Sequence, residues 1–428
     1  MLELTSVFFI LSGVALYSKW VSPGAGLVFV IYFSVAVVYP GVAKREYDPY
    51  TESFVRFLDF ESASMGFLIL SFAFLVVYVS YFLFRTKLAT STLPSSAIVG
   101  DARACERLAM FSVVIGLAYI AFSAILFGSV SNAMLSAYKR VQATSSISNF
   151  RSILYWAAVV SSIFAFLISR NMKVSLWCRL LVYLAIIISL ILSLSNGGRS
   201  VFILYLVALL FFVVVKANTR QLIILSGAFV GFVFLVSSAM IYARYSAQGA
   251  VAASEFDAVG YAFTGLRYLD HFVISMGYAD WAGHDYGGLY GNAALSFIPR
   301  SLWEEKPQLI SAGLRYYIYG DYTGGVPPGL FGEGYISFDV LGVMIVAFLY
   351  GWLLAKLDSY IPICVKTGDV RFLVLLGLFV PLVGFTFVRG GVDIGVFRLG
   401  IPFFWYVVIS WYVGKTTTKR FLDVGVDK

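Results

Sequence analysis

The chain has 428 residues, of which 60% are hydrophobic and 13% charged, with a mean hydropathy of +0.87. So much apolar surface excludes a soluble domain, and long apolar runs without alternation exclude a closed β-barrel, which leaves a bundle of membrane helices of about 20 apolar residues each. The net charge of +8 fits cytoplasmic loops and anionic lipid and gives no reason to expect nucleic acid as a partner.

Taken in chain order, apolar segments near 4–18, 22–39, 63–84, 107–130, 153–169, 174–194, 200–216, 221–242, 334–355, 372–388 and 399–413 predict an all-α, polytopic transmembrane bundle of about 11–12 helices. The first segment lacks a basic leader and a small-residue cleavage site, so it reads as a retained helix. The helices read as unbroken. The chain reads as one integral membrane domain, 1–428, interrupted by a long polar segment, 243–333.

Orientation follows from the tail, where Lys415, Lys419, Arg420 and Lys428 favour the cytoplasm. Strict alternation then puts the short basic loops 85–107, 170–173, 216–220 and 356–371 inside. It puts 243–333, the Ser195–Arg199 turn and the Arg389–Asp393 turn together on the outer face. Cys105, Cys178 and Cys364 fall on the inner side, as suits a reducing compartment. With only these cysteines and two histidines, His271 and His284, no metal site is expected. No cofactor is expected either.

The outer face carries the polar chemistry. Segment 243–333 is too long for an idle connection and too aromatic for disorder, with Tyr278, Trp281, Trp303, Tyr316, Tyr317 and Tyr322 among its rings. It reads as a large ordered loop offering a carbohydrate-stacking surface and part of an active site. Arg199, Arg244, Arg389 and Arg398 lie at the outer ends of helices or in outer turns. Their planar forks suit a lipid diphosphate, which Gly197, Gly198, Gly390 and Gly391 would let backbone amides approach. Phe297–Pro307 holds Arg300, Trp303, Glu304 and Lys306 between two prolines, and Val326–Tyr335 runs from Pro327-Pro328-Gly329 into Gly332-Glu333-Gly334. Glu333 is expected at the outer entrance of a membrane helix, where a carboxylate is costly unless paired or used.

At these residues the sequence resembles the bacterial O-antigen and oligosaccharide repeat-unit polymerases, the Wzy-type enzymes. The resemblance rests on Asn196-Gly197-Gly198-Arg199-Ser200, on Ile298-Pro299-Arg300 with Trp303 and Lys306-Pro307, on Pro327-Pro328 with Gly332-Glu333, and on Arg389-Gly390. It covers about 195–400. It implies an inner-membrane glycosyltransferase with its active site facing the periplasm, joining undecaprenyl-diphosphate-linked oligosaccharides. It also implies a flippase and a chain-length regulator as partners.

For such a reaction, fixed cations would stabilise the departing diphosphate. Arg199, Arg300 and Arg389 are the first candidates, with Arg244 and Arg398 next. Glu333 is the first candidate for the base that accepts the acceptor's proton, followed by His271 and Asp270. His271, Trp303, Lys306, Gly198 and Gly390 complete the expected substrate contacts. Two rival readings are an O-antigen ligase-type transferase and a flippase or other transporter. Against a transporter stands the expectation of unbroken helices, since transporters characteristically bind substrate at broken ones.

Overall fold

In the computed structural model, the described residues are 60–85, 101–130, 145–195, 199–216, 268–295, 307–322, 325–362 and 369–425, with isolated positions between them; at some, only the backbone is described. Every regular element among them is helical: α1 (Phe60–Phe84), α2 (Ala102–Phe127), α3 (Ser145–Asn171), α4 (Leu176–Ser195), α5 (Arg199–Lys216), α6 (Tyr268–Ala282), α7 (Gly288–Ala294), α8 (Ile310–Tyr319), α9 (Gly329–Ser359), α10 (Val370–Pro381) and α11 (Val388–Gly425). A π-helical turn, Leu382–Phe387, joins the last two. Five helices are long and apolar enough to cross a membrane, and two shorter apolar stretches, Val201–Phe211 and Val370–Gly384, accompany them. The chain is an all-α membrane protein.

Helix α1 shows why a bilayer is its solvent. Ala63, Phe67, Leu70, Phe74, Val77 and Tyr81 form a buried stripe. On the other side Met65, Leu68, Phe72, Leu75, Val79 and Phe82 are exposed at the same spacing of three and four. A water-facing helix carries polar residues on that second face; a helix apolar all round belongs in lipid.

The chain divides into two compact units. The first is built on α1, α6–α9 and residues 379–398. Within it α9 lies along α1: the Ser80 hydroxyl donates to the Phe348 carbonyl (2.6 Å) and the Tyr81 phenol to the buried Asp358 carboxylate (2.7 Å). The second unit contains α2–α5, residues 360–378 and the chain after 399. Two of its interhelical contacts are hydrogen bonds, of the kind lipid-embedded packing favours: Ser112 donates to the Ala158 carbonyl (2.8 Å), and Tyr155 meets Ser193 (2.9 Å).

Segments 63–84, 107–130, 153–169, 174–194 and 200–216 all fall on helices. Segments 4–18, 22–39 and 221–242 lie wholly or largely outside the described residues. Two departures matter. The polar segment 243–333 carries α6, α7 and α8, and α6 is a core helix, with Leu269, Phe272, Val273 and Ile274 buried. The expectation of unbroken membrane helices fails: α9 breaks at Phe338 (φ −145°, ψ 29°) and Asp339 (φ 56°, ψ −148°), and α11 breaks at Gly391 (φ 84°, ψ −178°).

The break in α9 is a reversal. In a straight helix Gly334 and Gly342 would stand about 12 Å apart. Instead, a Cβ on Gly342 would collide with the Gly334 carbonyl, and one on Gly334 would come within 2.9 Å of the Gly342 carbonyl. A short helix, 329–337, therefore folds back on the long one, 340–359. The long piece spans about 30 Å at 1.5 Å per residue, the thickness of a bilayer core.

Candidate functional site

The short helix 329–337 carries Glu333, whose side chain is completely buried (0% exposed). The sequence places it directly before a membrane helix; in the structure the rest of the short helix and its reversal stand between it and the long piece, 340–359. Its carboxylate accepts a hydrogen bond from the backbone amide of Val392 and lies so close to Gly391 that a Cβ there would overlap it. The two breaks explain each other. At Gly391 the helical ladder stops, and the helix that restarts begins with amides lacking an intrahelical acceptor. In a water-poor interior an unsatisfied amide is costly. Glu333 supplies the acceptor, and its negative charge sits at the positive end of the restarted helix. The amide that Gly391 was expected to free for a phosphate is thus taken by a carboxylate.

The rest of the short helix is held at both ends. At the start, Tyr268 of α6 accepts the Phe331 amide (3.0 Å), and His271 of α6 meets the Pro327 carbonyl through Nδ1 (2.9 Å). A carbonyl only accepts, so Nδ1 carries the hydrogen and Nε2 the lone pair in the neutral ring. Asp270, beside it, is buried. At the other end the chain reverses, leaving carbonyls without helical donors. His284 Nδ1 approaches the carbonyls of Tyr335 and Ile336 (both 3.2 Å), and the Asp285 amide donates to Ile336 (3.2 Å). The Asp285 carboxylate then accepts from the Ser337 hydroxyl (3.0 Å) and from the amides of Gly287 and Leu289 at the start of α7. Tyr290 of α7 closes this side. Burial above all, then the charge of Glu333, pushes its phenol above the ordinary range, so it stays protonated at neutral pH.

Behind the Gly391 break, the Tyr350 hydroxyl of the long helix donates to the Val383 carbonyl in the π-helical turn (2.8 Å). Pro381, just before that turn, has no amide hydrogen to give, so an irregular ladder there is expected. The Tyr350 ring packs edge-on against Phe331 at 6.4 Å, next to Glu333's neighbour Gly332.

Arg389 and Gly390 lie just before the break, Arg389 partly buried and Gly390 buried. Among the described residues nothing accepts a hydrogen bond from the Arg389 guanidinium or forms an ion pair with it. No protein-family model matches this chain, and no curated protein or solved structure does. The site is therefore argued from its own geometry.

That geometry unites some expected residues. Glu333, Arg389, Gly390 and His271 all belong to the first unit, and Glu333 reaches directly to the Gly391–Val392 backbone. Trp303 is in the same unit and partly buried. Arg199 begins α5 in the second unit and Arg398 lies within α11; only their backbones are described. Gly198, Arg244, Arg300 and Lys306 lie outside the described residues. Sequence reasoning missed Asp285 and Ser337, and counted Tyr290 only among the aromatic rings of the loop. Asp285-Tyr286-Gly287-Gly288 carries a turn signature that was legible; its service to a distant helix end was not.

Proposed function

We propose that this protein is a bacterial inner-membrane glycosyltransferase that polymerises lipid-diphosphate-linked oligosaccharides on the periplasmic face. The observation that carries the reading is the meeting of Glu333 with the Gly391–Val392 break. Two segments resembling the Wzy-type enzymes, Gly332-Glu333 and Arg389-Gly390, are far apart in sequence, and a hydrogen bond from the Val392 amide, two residues past the second, to the Glu333 carboxylate brings them near each other. A buried carboxylate on a reversed half-helix is costly, and Arg389, which pairs with no described residue, lies two positions before the Gly391 that this carboxylate approaches; the arrangement fits a site built for an anionic group.

In this reading the acceptor's hydroxyl oxygen attacks the anomeric carbon of the donor glycan. The bond from that carbon to the diphosphate oxygen breaks, and lipid diphosphate leaves with the electron pair. Arg389 binds the departing charge, with Arg300 and Arg398 as the further candidates in the same unit; removing one such contact typically costs about 10²–10³ in rate. Because the Glu333 carboxylate holds the Val392 amide, it is assigned a positioning role, fixing the turn that carries Arg389. The hydroxyl proton is assigned to Nε2 of His271. A flippase and a chain-length regulator would be partners in the pathway.

The broken helices favour a second reading, a transporter of the same lipid-linked glycan, since half-helix ends meeting in the membrane are where transporters bind substrate. Surface glycan from a deletion strain, run on a gel, separates the two. Collapse of a ladder to a single-repeat band, reversed by wild type but not by Arg389→Ala, is the polymerase result. Loss of the single-repeat band as well, with lipid-linked repeats retained in the cytoplasmic leaflet, is the transporter result. An unchanged ladder overturns both.

A further inference from the structure

A cavity of about 350 Å³ lies within the first unit, between α6, α7, α8 and the end of the short helix at Ile336. Its size is at the lower end of small-molecule sites. Its walls combine aromatic rings, Tyr278 and Tyr322, with the side chains of Asn292, Gln308 and Asp285. Among the described residues that line it there is no Lys or Arg, while the Asp285 carboxylate is there beside His284, so the described wall suits a neutral ligand better than an anion. One face of Tyr322 is stacked on Tyr316 at 4.6 Å and 7°; since Tyr322 is 56% exposed, its other face remains for a ligand. The Asn292 amide, which makes no hydrogen bond to a described residue, offers both donor and acceptor.

We infer that this cavity binds a neutral pyranose sugar. A pyranose presents apolar C–H faces to an aromatic ring and hydroxyls around its edge to amides and carboxylates, and it carries no charge. The matching features here are Tyr322 for the face and Asn292 with Gln308 for the edge. Asp285, on the cavity wall, already accepts the Ser337 hydroxyl and the α7 amides, so a ligand touches the group that holds the end of the half-helix bearing Glu333. That the sugar is a residue of the growing glycan rests on the glycosyltransferase reading; the binding itself does not.

The test is saturation-transfer NMR on the full-length protein in detergent, with a panel of methyl glycosides of glucose, galactose, mannose, rhamnose and N-acetylglucosamine. At least one is expected to give a saturable signal that weakens about tenfold, the size of one lost hydrogen bond or stacking contact, in Asn292→Leu and in Tyr322→Ala. Both positions are partly or largely exposed, and an unchanged melting temperature certifies each variant as folded. No saturable signal from any glycoside with folded wild type, or a signal indifferent to both variants, overturns the inference. The glycan gel keeps the two readings apart: sugar binding with an unchanged ladder on deletion retains the cavity and rejects polymerisation. A lost ladder without sugar binding does the reverse.

Discussion

The backbone amide of Val392 donates to the carboxylate of Glu333, 59 residues earlier in the chain; Val392 directly follows the break at Gly391, and Glu333 sits on the half-helix that ends at the break at Phe338 and Asp339. Each break leaves polar backbone that lipid-embedded structure cannot leave bare. The short helix brings a carboxylate, and the restarted helix brings the amide that needs it.

Glu333→Ala is therefore expected to strand the part-buried Val392 amide and lower stability by about 1–3 kcal/mol. Glu333→Gln keeps an oxygen that accepts the same hydrogen bond and should retain most of the melting temperature in detergent. Chain polymerisation should fall in both, and further in Ala, because the Arg389 turn loses its anchor. Equal stability of Ala and wild type would deny Glu333 its positioning role.

Gly391→Ala meets two obstacles. Its φ of 84° with ψ of −178° is a region open essentially to glycine alone, and its Cβ would overlap the Glu333 carboxylate. Backbone strain of this type costs about 1–3 kcal/mol. The double variant Gly391→Ala/Glu333→Ala removes the clash and leaves the strain, so its melting temperature should not return to that of Glu333→Ala alone. Full recovery would mean that crowding, and not backbone geometry, selects glycine there.

Gly342→Ala tests the reversal of α9. The methyl would collide with the Gly334 carbonyl across the hairpin, pushing apart the two pieces that carry Glu333 and the membrane span. An exposed helical Gly→Ala change stabilises by about 1 kcal/mol; here destabilisation is expected, read as a lower melting temperature and faster proteolysis between 325 and 340. A stabilised protein would contradict the folded-back geometry.

Much of this architecture is legible in sequence because hydropathy reports lipid contact. The segments that became α1 to α5 were found by their long apolar runs alone. The fold around the site is not legible that way. Asp270, His271 and Asp280 interrupt the pattern of α6, yet it is a core helix: Asp270 is buried, His271 bonds to the Pro327 carbonyl, and only Asp280 is exposed. The reversal at Phe338-Asp339 leaves no signature, because both of its pieces are apolar and the glycines that allow their close approach look like ordinary helix glycines. Glu333 and Gly391 each stood out as unusual residues, but the hydrogen bond linking their segments depends on two breaks that local pattern does not record.

Arg389 offers the sharpest separation of function from stability. Its guanidinium makes no hydrogen bond or ion pair with a described residue, so Arg389→Ala removes little that holds the fold, and its stability should stay within about 0.5 kcal/mol of wild type. If Arg389 binds the departing diphosphate, the rate of polymer extension should fall by about 10²–10³. Arg389→Lys retains the charge without the planar fork that grips two phosphate oxygens at once, so it should recover only part of that loss. Purified protein, lipid-linked repeats and a time course of chain growth measure all three variants together. Wild-type rates in Arg389→Ala, at wild-type stability, would remove this arginine from the site; a melting temperature that falls with the rate would recast it as a structural residue.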